Sequence, residues 1–302
     1  MALTDLRTQL RGVLGFPVTP FHQDLSLNLG GLENNVSAMA KHPFCALVAA
    51  GGAGEIYSLT VEEIVEVVRT TVRAVSGRMP VVAGVGFNTE IAVELARRFE
   101  KAGVNALLIL PPYYVNAPEA GLFSYYRRVA GACGLPVVAY SRDWAVFTPE
   151  MVARLAEQMP SLAAWKDGQG DMRRFQRIMT LVGDRLAWIG GIGDDAVAAY
   201  FAIGVQAYTS SISNFAPKLS LALAEAGLAR DFARLDRLLR KYVQPLYAIR
   251  DRSRGYEVAV TKQAMELLGL PAGPVRPPLA GCRPRDIEDI RKLMEIFGDM
   301  SG

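Results

Sequence analysis

Short apolar stretches alternate with longer amphipathic stretches along most of the chain. Most of the apolar stretches carry apolar residues at both odd and even positions. That pattern is typical of strands buried on both faces of a parallel sheet. The pattern predicts strands at Val13–Val18, Cys45–Ala50, Pro80–Val85, Asn105–Leu110, Pro136–Tyr140, Leu162–Lys166, Leu186–Ile189 and Gln206–Ser210.

The amphipathic segments between these strands predict helices, and several carry signals for helix ends. Thr60–Val75 begins Thr-Val-Glu-Glu, an arrangement typical of a capping box. Thr89–Ala102 ends before Gly103, a residue type favoured just after a helix. Thr148–Met159 begins Thr-Pro-Glu, with proline at the first helical position. Together with Asp171–Val182, these segments indicate repeated strand–helix units.

The number of units predicts the fold. Strand starts recur about every 25–30 residues, and eight strand–helix units are complete by residue 226. Eight units close a (β/α)8 barrel, although an open doubly wound sheet is an alternative because the strands are short. We predict a TIM barrel over residues 1–226 and additional C-terminal helices over 227–302, packed on it within a single domain. Those helices are predicted at Asp231–Ile249, Tyr256–Leu268 and Pro284–Phe297.

Composition narrows the classes of partner. The chain has 33 basic and 30 acidic residues, a net charge of +3, and no cluster of basic and aromatic residues, which argues against nucleic acid. No uncharged apolar run approaches the roughly 20 residues of a membrane span, and residues 1–12 carry charges where a signal peptide needs an apolar core. We therefore expect no membrane partner.

The cysteines and histidines do not predict a metal site. Cys45, Cys133 and Cys282 lie far apart with no CxxC pair, and His22 and His42 have no ligand-spaced partners. Buried, unpaired thiols are the simpler interpretation, and they fit a reducing cytoplasm.

Two residues at adjacent strand ends carry the candidate chemistry. In a barrel the active site lies at the carboxyl ends of the strands, where Lys166 and Tyr140 stand. A desolvated lysine has a lowered pKa, and its neutral amine can attack a ketone, while a phenol can relay protons. Position alone favours a Lys166 side chain that extends to solvent. It fits Tyr140 as an aromatic at the rim at least as well as a catalytic phenol. Their proximity strengthens the catalytic interpretation.

Three further segments follow strand ends. Gly51–Glu55 offers successive backbone N–H groups for a carboxylate, although a structural turn accounts for the glycines equally well. It matches neither a P-loop nor a GxGxxG motif. Gly190–Asp195 is less specific, and its Asp194 can serve as a helix cap. Arg142 and Asp143 can meet a charged substrate group or form a solvated ion pair.

At these residues the chain resembles the dihydrodipicolinate synthase/N-acetylneuraminate lyase superfamily. The segments Tyr140–Asp143 and Gly273–Arg276 are closest to its dehydratase members. The matching segments are Phe16–Thr19, Ala49–Glu55, Thr89–Ala92, Ala139–Asp143, Lys166–Asp171, Tyr208–Ser210, Asn214–Phe215, Ala248–Arg250, Gly255–Val258 and Ala272–Leu279.

The resemblance implies roles for individual residues. Lys166 is expected to form a Schiff base and Tyr140 to handle protons. The backbone of Gly52 and Ala53 is expected to hold the carboxylate beside the keto group, with Ser210 as a hydrogen-bond donor. The predicted substrate-binding residues are Pro17, Gly52, Ala53, Arg142, Gly191 and Ser210.

The resemblance also implies a reaction. It is dehydration and decarboxylation of a 5-keto-4-deoxy sugar diacid to 2,5-dioxopentanoate, CO2 and water, without metal or organic cofactor. A homo-oligomer, dimer or tetramer, is expected. The alternatives are a related aldolase that releases pyruvate from another 2-keto-3-deoxy sugar acid, and a barrel that binds a keto acid without turnover. Ala53 replaces the family's usual threonine and Trp144 the dehydratases' usual asparagine, so we expect the indole beside the pocket to reshape substrate choice.

Overall fold

Eight parallel strands close into a barrel in the computed structural model, which describes residues 3–300. Strand order follows chain order, and β1 pairs with both β2 and β8. The predicted TIM barrel is therefore confirmed, and the open sheet is excluded; residues 1, 2, 301 and 302 of the predicted domain lie outside the described residues. The strands are β1 Gly12–Gly15, β2 Ala46–Ala49, β3 Val81–Phe87, β4 Ala106–Pro112, β5 Val137–Ser141, β6 Leu162–Asp167, β7 Ala187–Gly190 and β8 Ala207–Ser210.

A helix follows each strand, and the end signals act as the sequence predicts. The Thr60 side chain accepts from the Glu63 amide, and the Glu63 carboxylate accepts from the Thr60 amide, so the capping box is formed. Gly103 ends its helix with a φ of 82°. The helices are α1 Leu3–Gln9, α2 Leu29–Met39, α3 Val61–Val75, α4 Thr89–Ala102, α5 Glu119–Ala130, α6 Pro149–Gln158, α7 Met172–Val182, α8 Val197–Ala202 and α9 Pro217–Leu228.

Further helices follow the barrel, as predicted. The segment predicted as one helix from Asp231 contains a π-helical turn, Leu239–Val243, at its centre. Among residues 3–300, no helix combines the length and the apolar composition that crossing a bilayer requires. The C-terminal helices are α10 Phe232–Leu238, α11 Gln244–Arg250, α12 Tyr256–Leu267 and α13 Pro284–Phe297.

The alternation of side chains along each strand divides the buried residues between two cores. In β6, Ala164 belongs to the cluster inside the barrel, whereas Trp165 belongs to the cluster between strands and helices. Because successive side chains in a strand point to opposite faces, Lys166 points to the same side as Ala164. Tyr140 shares the inner face with Val138 in the same way. Both candidate catalytic side chains thus point into the barrel.

The amino-terminal helix closes one end of the barrel. Leu6 of α1 and Leu10 after it are buried in the inner cluster together with Ala163 and Ala164 of β6. The carboxyl ends of the strands, where polar residues gather, form the opposite end.

The first strand is shorter than predicted. It ends at Gly15 rather than Val18, so Thr19 lies well beyond the strand. Proline has no backbone N–H, so Pro17 cannot donate to a sheet ladder. The Thr19 hydroxyl instead donates to the carbonyl of Gly54 at 2.6 Å, which ties this segment to the loop after β2.

A buried ion pair joins that loop to the C-terminal helices. The Lys262 ammonium of α12 lies 2.6 Å from Glu55 Oε1, and both side chains are almost fully buried. The Arg276 amide donates to the other Glu55 oxygen at 3.1 Å, and its guanidinium makes two hydrogen bonds to Glu63. The glycine-rich loop after β2 is thus held from outside the barrel by chain that lies more than two hundred residues further on.

We predict that Lys262→Ala lowers the free energy of unfolding by about 3–5 kcal/mol, because it leaves the Glu55 carboxylate buried without its counter-charge. Chemical denaturation measures the change. The double variant Glu55→Gln, Lys262→Met removes both charges and should recover most of the loss. Lys292→Ala, in an exposed pair with Glu288, serves as the control and should leave unfolding nearly unchanged. Equal destabilisation by the two lysine variants would contradict the role given to the buried pair.

Candidate active site

A cavity of about 320 Å³ opens at the carboxyl ends of the strands. The predicted site residues that line it are Gly52, Ala53, Tyr140, Arg142, Lys166, Gly191 and Ser210. Its size suits a small ligand, since small-molecule pockets start at roughly 300 Å³. The structure thus brings together every predicted site residue except Pro17.

Lys166 and Tyr140 are direct neighbours across two strands. The register of β5 and β6 pairs the two residues. The Lys166 Nζ atom lies 3.4 Å from the centroid of the Tyr140 ring and 5.2 Å from that of Phe16. Lys166 is only 4% exposed, so its amine is enclosed by aromatic surface and not by bulk water.

Two glycines leave room for this pair. A Cβ at Gly191 would lie 2.7 Å from side-chain carbons of Lys166, and a Cβ at Gly168 would lie 2.6 Å from the Tyr140 ring. Real Cβ atoms essentially never lie this close to another heavy atom. The glycines that follow β6 and β7 therefore provide the space in which the amine and the phenol meet.

Burial and charge shift the protonation of both groups. Burial lowers the pKa of Lys166, because the ammonium form loses its hydration. Burial alone would raise the pKa of Tyr140, but the positive charges of Lys166 and Arg142 outweigh it and hold that pKa below its ordinary value. The amine therefore loses its proton more easily than a solvated lysine, and the phenol more easily than a free tyrosine. The pair can therefore exchange protons with a bound reactant.

The loop after β2 lines the cavity and contains backbone donors without an internal partner. Within the described part of the chain, the amides of Gly52 and Ala53 have no hydrogen-bond acceptor. Ala50 and Glu55 flank the loop with φ values of 50° and 53°, a left-handed conformation unusual for residues other than glycine. Successive free amides of this kind suit an anion such as a carboxylate. That ligand remains a prediction.

Arg142 forms the predicted ion pair and one contact that the sequence did not predict. Its Nε lies 3.3 Å from Asp143 Oδ1, so the exposed ion pair is formed. Its Nη1 also donates to the Tyr140 hydroxyl at 3.3 Å. Arg142 therefore acts on the phenol directly, from the rim of the cavity.

Ser210 and Asp194 form a hydrogen-bonded pair in one wall. Asp194 caps no helix; it accepts hydrogen bonds from the Ser210 hydroxyl and from the Ser211 amide. Burial raises the pKa of Asp194 above its ordinary value. A serine hydroxyl has one hydrogen, and Ser210 already donates it to Asp194. Ser210 is therefore not free here for the expected donation to a substrate. It lines the cavity and orients Asp194.

Two residues that we expected at the cavity from the sequence do not line it. Pro17 is buried and does not line the cavity; its neighbour Phe16 does, and the Pro17 carbonyl faces Gly54. Trp144 also lies off the cavity, because its indole N–H donates to the Pro112 carbonyl at 2.9 Å. The indole thus fastens the loop after β5 to the end of β4 and does not narrow the pocket.

The sequence interpretation missed the wall that the C-terminal helices supply. These cavity-lining residues are Tyr247, Arg250, Glu257, Val258 and Thr261. No local motif marks them, since they belong to amphipathic helices whose position depends on tertiary packing. The one available signal was that Arg250, Glu257 and Val258 fall within segments that match the superfamily.

The thiols are poorly suited to nucleophilic chemistry. Cys45, Cys133 and Cys282 are unpaired, and burial raises the pKa of Cys45 to about 12 and that of Cys282 to about 11. The thiolate is the reactive form, so these shifts keep both side chains inert. In the described residues, no group of three or more His, Cys, Asp or Glu side chains is placed to hold a metal ion.

Solved structures of known proteins share this architecture. The crystal structure of dihydrodipicolinate synthase from Bacillus clausii matches with a TM-score of 0.92 and 28% identity, covering 97% of this chain and 99% of that one. Dihydrodipicolinate synthase from Oceanobacillus iheyensis matches with a TM-score of 0.92 and 27% identity, over 99% of this chain and 100% of that one.

Sequence relatives are closer. A protein from Saccharopolyspora erythraea is 41% identical over 285 residues, which cover 94% of this chain and 91% of the relative. One from Bradyrhizobium diazoefficiens is 39% identical over 286 residues, with the same coverage. Both are named as a probable 5-dehydro-4-deoxyglucarate dehydratase. Residues 9–296 also match the family model, and the chain therefore belongs to the dihydrodipicolinate synthetase family.

Proposed function

We propose that this protein is a Schiff-base lyase that dehydrates and decarboxylates 5-dehydro-4-deoxy-D-glucarate to 2,5-dioxopentanoate. The observation that carries the proposal is the buried contact between the Lys166 amine and the Tyr140 ring, within a cavity of matching size. The names of the relatives at 39% and 41% identity support the choice of substrate.

The reaction begins with the amine. Neutral Lys166 attacks the C5 ketone of the substrate, and the carbinolamine loses water to give an iminium ion. Tyr140 supplies and recovers the protons of these steps, which its lowered pKa favours. The amides of Gly52 and Ala53 hold the C6 carboxylate beside the reacting carbon.

The iminium ion then acts as an electron sink. Loss of a C4 proton gives an enamine, whose electrons expel the C3 hydroxyl as water and leave a conjugated iminium ion. The electrons of the C1–C2 bond move into that system, and CO2 leaves. Tautomerisation of the resulting enol and hydrolysis of the iminium ion release 2,5-dioxopentanoate and the free amine. No metal or organic cofactor takes part in these steps.

Assembly and location are part of the same proposal. We propose a homo-oligomer in the cytoplasm. The apolar side chains of Tyr113, Tyr114 and Val115, which are 65%, 84% and 57% exposed, support a contact surface in the loop after β4. The unpaired cysteines are consistent with a reducing compartment.

Incubation of the purified protein with 5-dehydro-4-deoxy-D-glucarate tests the reaction. We expect one CO2 and one 2,5-dioxopentanoate for each substrate molecule consumed, measured by gas release and by mass spectrometry. Pyruvate release without CO2 would identify an aldolase instead. Tight binding without any product would identify a keto-acid-binding barrel.

Borohydride reduction tests the covalent step. With substrate present, we expect a stable adduct on Lys166, located by peptide mass spectrometry, because reduction fixes the iminium ion. Lys166→Ala should form no adduct and lose turnover, while its thermal unfolding shows that the fold is retained. Lys262→Arg, which keeps the charge of another buried lysine, should still be trapped at Lys166. An adduct on a different lysine would overturn the assignment.

Tyr140→Phe tests the proton relay. We expect turnover to fall by about 10²–10⁴, the usual contribution of a general acid–base group. Tyr140 also raises the pKa of Lys166, so its removal should move the pH inflection of adduct formation to lower pH. The adduct rate as a function of pH measures this shift. Slow turnover with an unmoved inflection would assign Tyr140 a packing role only.

A further inference from the structure

Arg250 is a buried cation in the part of the cavity wall that the C-terminal helices form, whereas the catalytic pair lies on the barrel strands. It is the last residue of α11, is 4% exposed, and lines the same cavity as Lys166. Among the described residues, its Nη2 atom alone donates hydrogen bonds, to the hydroxyls of Ser211 at 3.0 Å and Thr261 at 2.9 Å. The Nε atom is buried and has no acceptor among the described residues.

No carboxylate of the described chain pairs with this guanidinium. Among the described side chains, those of residues 6–298 and 300, no Asp or Glu oxygen lies within 4.0 Å of Arg250, although ion pairs form at many other arginines. Asp194 shares the cavity, but the Ser210 hydroxyl and the Ser211 amide occupy its oxygens. A guanidinium stays charged in proteins, and a buried charge without a counter-ion is costly. Asp194 and Asp195 interact with Arg250 only at longer range, because neither forms a direct ion pair with it. The guanidinium therefore has no carboxylate in direct contact.

We infer that Arg250 binds the second carboxylate of a dicarboxylic substrate, the C1 carboxylate that leaves as CO2. This inference rests on the proposed function, since it assigns the far end of the same substrate. The near carboxylate has its donors in the loop after β2. A cation apart from those donors, in the same cavity of about 320 Å³, fits a linear molecule with a carboxylate at each end.

Arg250 suits this role better than Arg142. Arg142 already has an anionic partner in Asp143 and is more exposed, and its Nη1 is used by the Tyr140 hydroxyl. Arg250 has neutral acceptors only, and its planar guanidinium rests on the Tyr247 ring at 4.7 Å from the centroid. A stacked, buried guanidinium with unused N–H groups is well placed to bind a carboxylate.

The placement has a consequence for the reaction. When the C1–C2 bond breaks, its electrons enter the conjugated iminium ion and the carboxylate becomes neutral CO2. Arg250 therefore interacts more strongly with the bound substrate than with the products of this step. Its contribution should appear mainly in substrate affinity and in the choice of diacid over monoacid.

Two unreactive keto acids separate this role from turnover. 2-Oxoadipate has the six-carbon chain and both carboxylates of the substrate, and 2-oxohexanoate has the same chain with one carboxylate. Neither carries a leaving hydroxyl, so each stops at the Schiff base. The concentration that gives half-maximal borohydride adduct on Lys166 measures the affinity of each.

For the unchanged protein we expect 2-oxoadipate to bind at least tenfold more tightly than 2-oxohexanoate. Arg250→Gln should weaken 2-oxoadipate by about tenfold to a hundredfold, the range expected for one charge-assisted contact, and leave 2-oxohexanoate within about twofold. Arg250→Lys, which keeps the charge without the planar fork, should give an intermediate loss. Arg254→Gln removes an exposed charge from the same segment and should behave as the unchanged protein.

Several outcomes would overturn the inference. Equal weakening of both keto acids by Arg250→Gln would mean that Arg250 only supports the fold, and thermal unfolding would show the accompanying loss. An unchanged preference in both Arg250 variants, or a preference abolished by Arg142→Gln instead, would place the second carboxylate elsewhere. If the unchanged protein forms no adduct with either acid, the Schiff-base function itself fails, and the inference with it.

Discussion

The alignment of β5 with β6 is the constraint on which the site depends. Because side chains alternate between faces, the register that pairs Tyr140 with Lys166 places both inside the barrel, and a slip of one residue would turn one of them outward. The apolar residues that precede them along each strand secure that register by filling the two cores. The chemistry of the site is thus a property of strand pairing before it is a property of individual side chains.

Desolvation is the second requirement, and it has to be reconciled with stability. Lys166 is reactive because it is buried, and glycine at 168 and 191 keeps the space around it open at the expense of packing. The structure compensates at the periphery, where Glu55 is fixed between Lys262 and Arg276. The rigid support of the site therefore comes largely from residues that do not line the cavity.

Much of this arrangement follows from the sequence. The eight strands, the helix ends and the position of Lys166 and Tyr140 at strand termini are local patterns, and local patterns were sufficient to predict them. The sequence predicts less well which side chains face the cavity, because tertiary packing decides their direction. Whether Phe16 or its neighbour Pro17 faces the cavity depends on how the chain leaves β1, and the direction of the Trp144 indole depends on the Pro112 carbonyl. The position of Arg250 in the cavity wall was not predicted for the same reason, because the sequence of a helix does not show which surface it will cover.

The cavity is built by two parts of the chain that differ in how far they tolerate substitution. Its floor is the closed barrel sheet, in which each strand pairs with two others, so a change in the length of one strand disturbs both pairings. Its far wall consists of helix surface around residues 247–261. Replacement of a side chain on that surface leaves the ladder intact. A barrel of this design can acquire new specificities through its last helices while it retains one reactive amine.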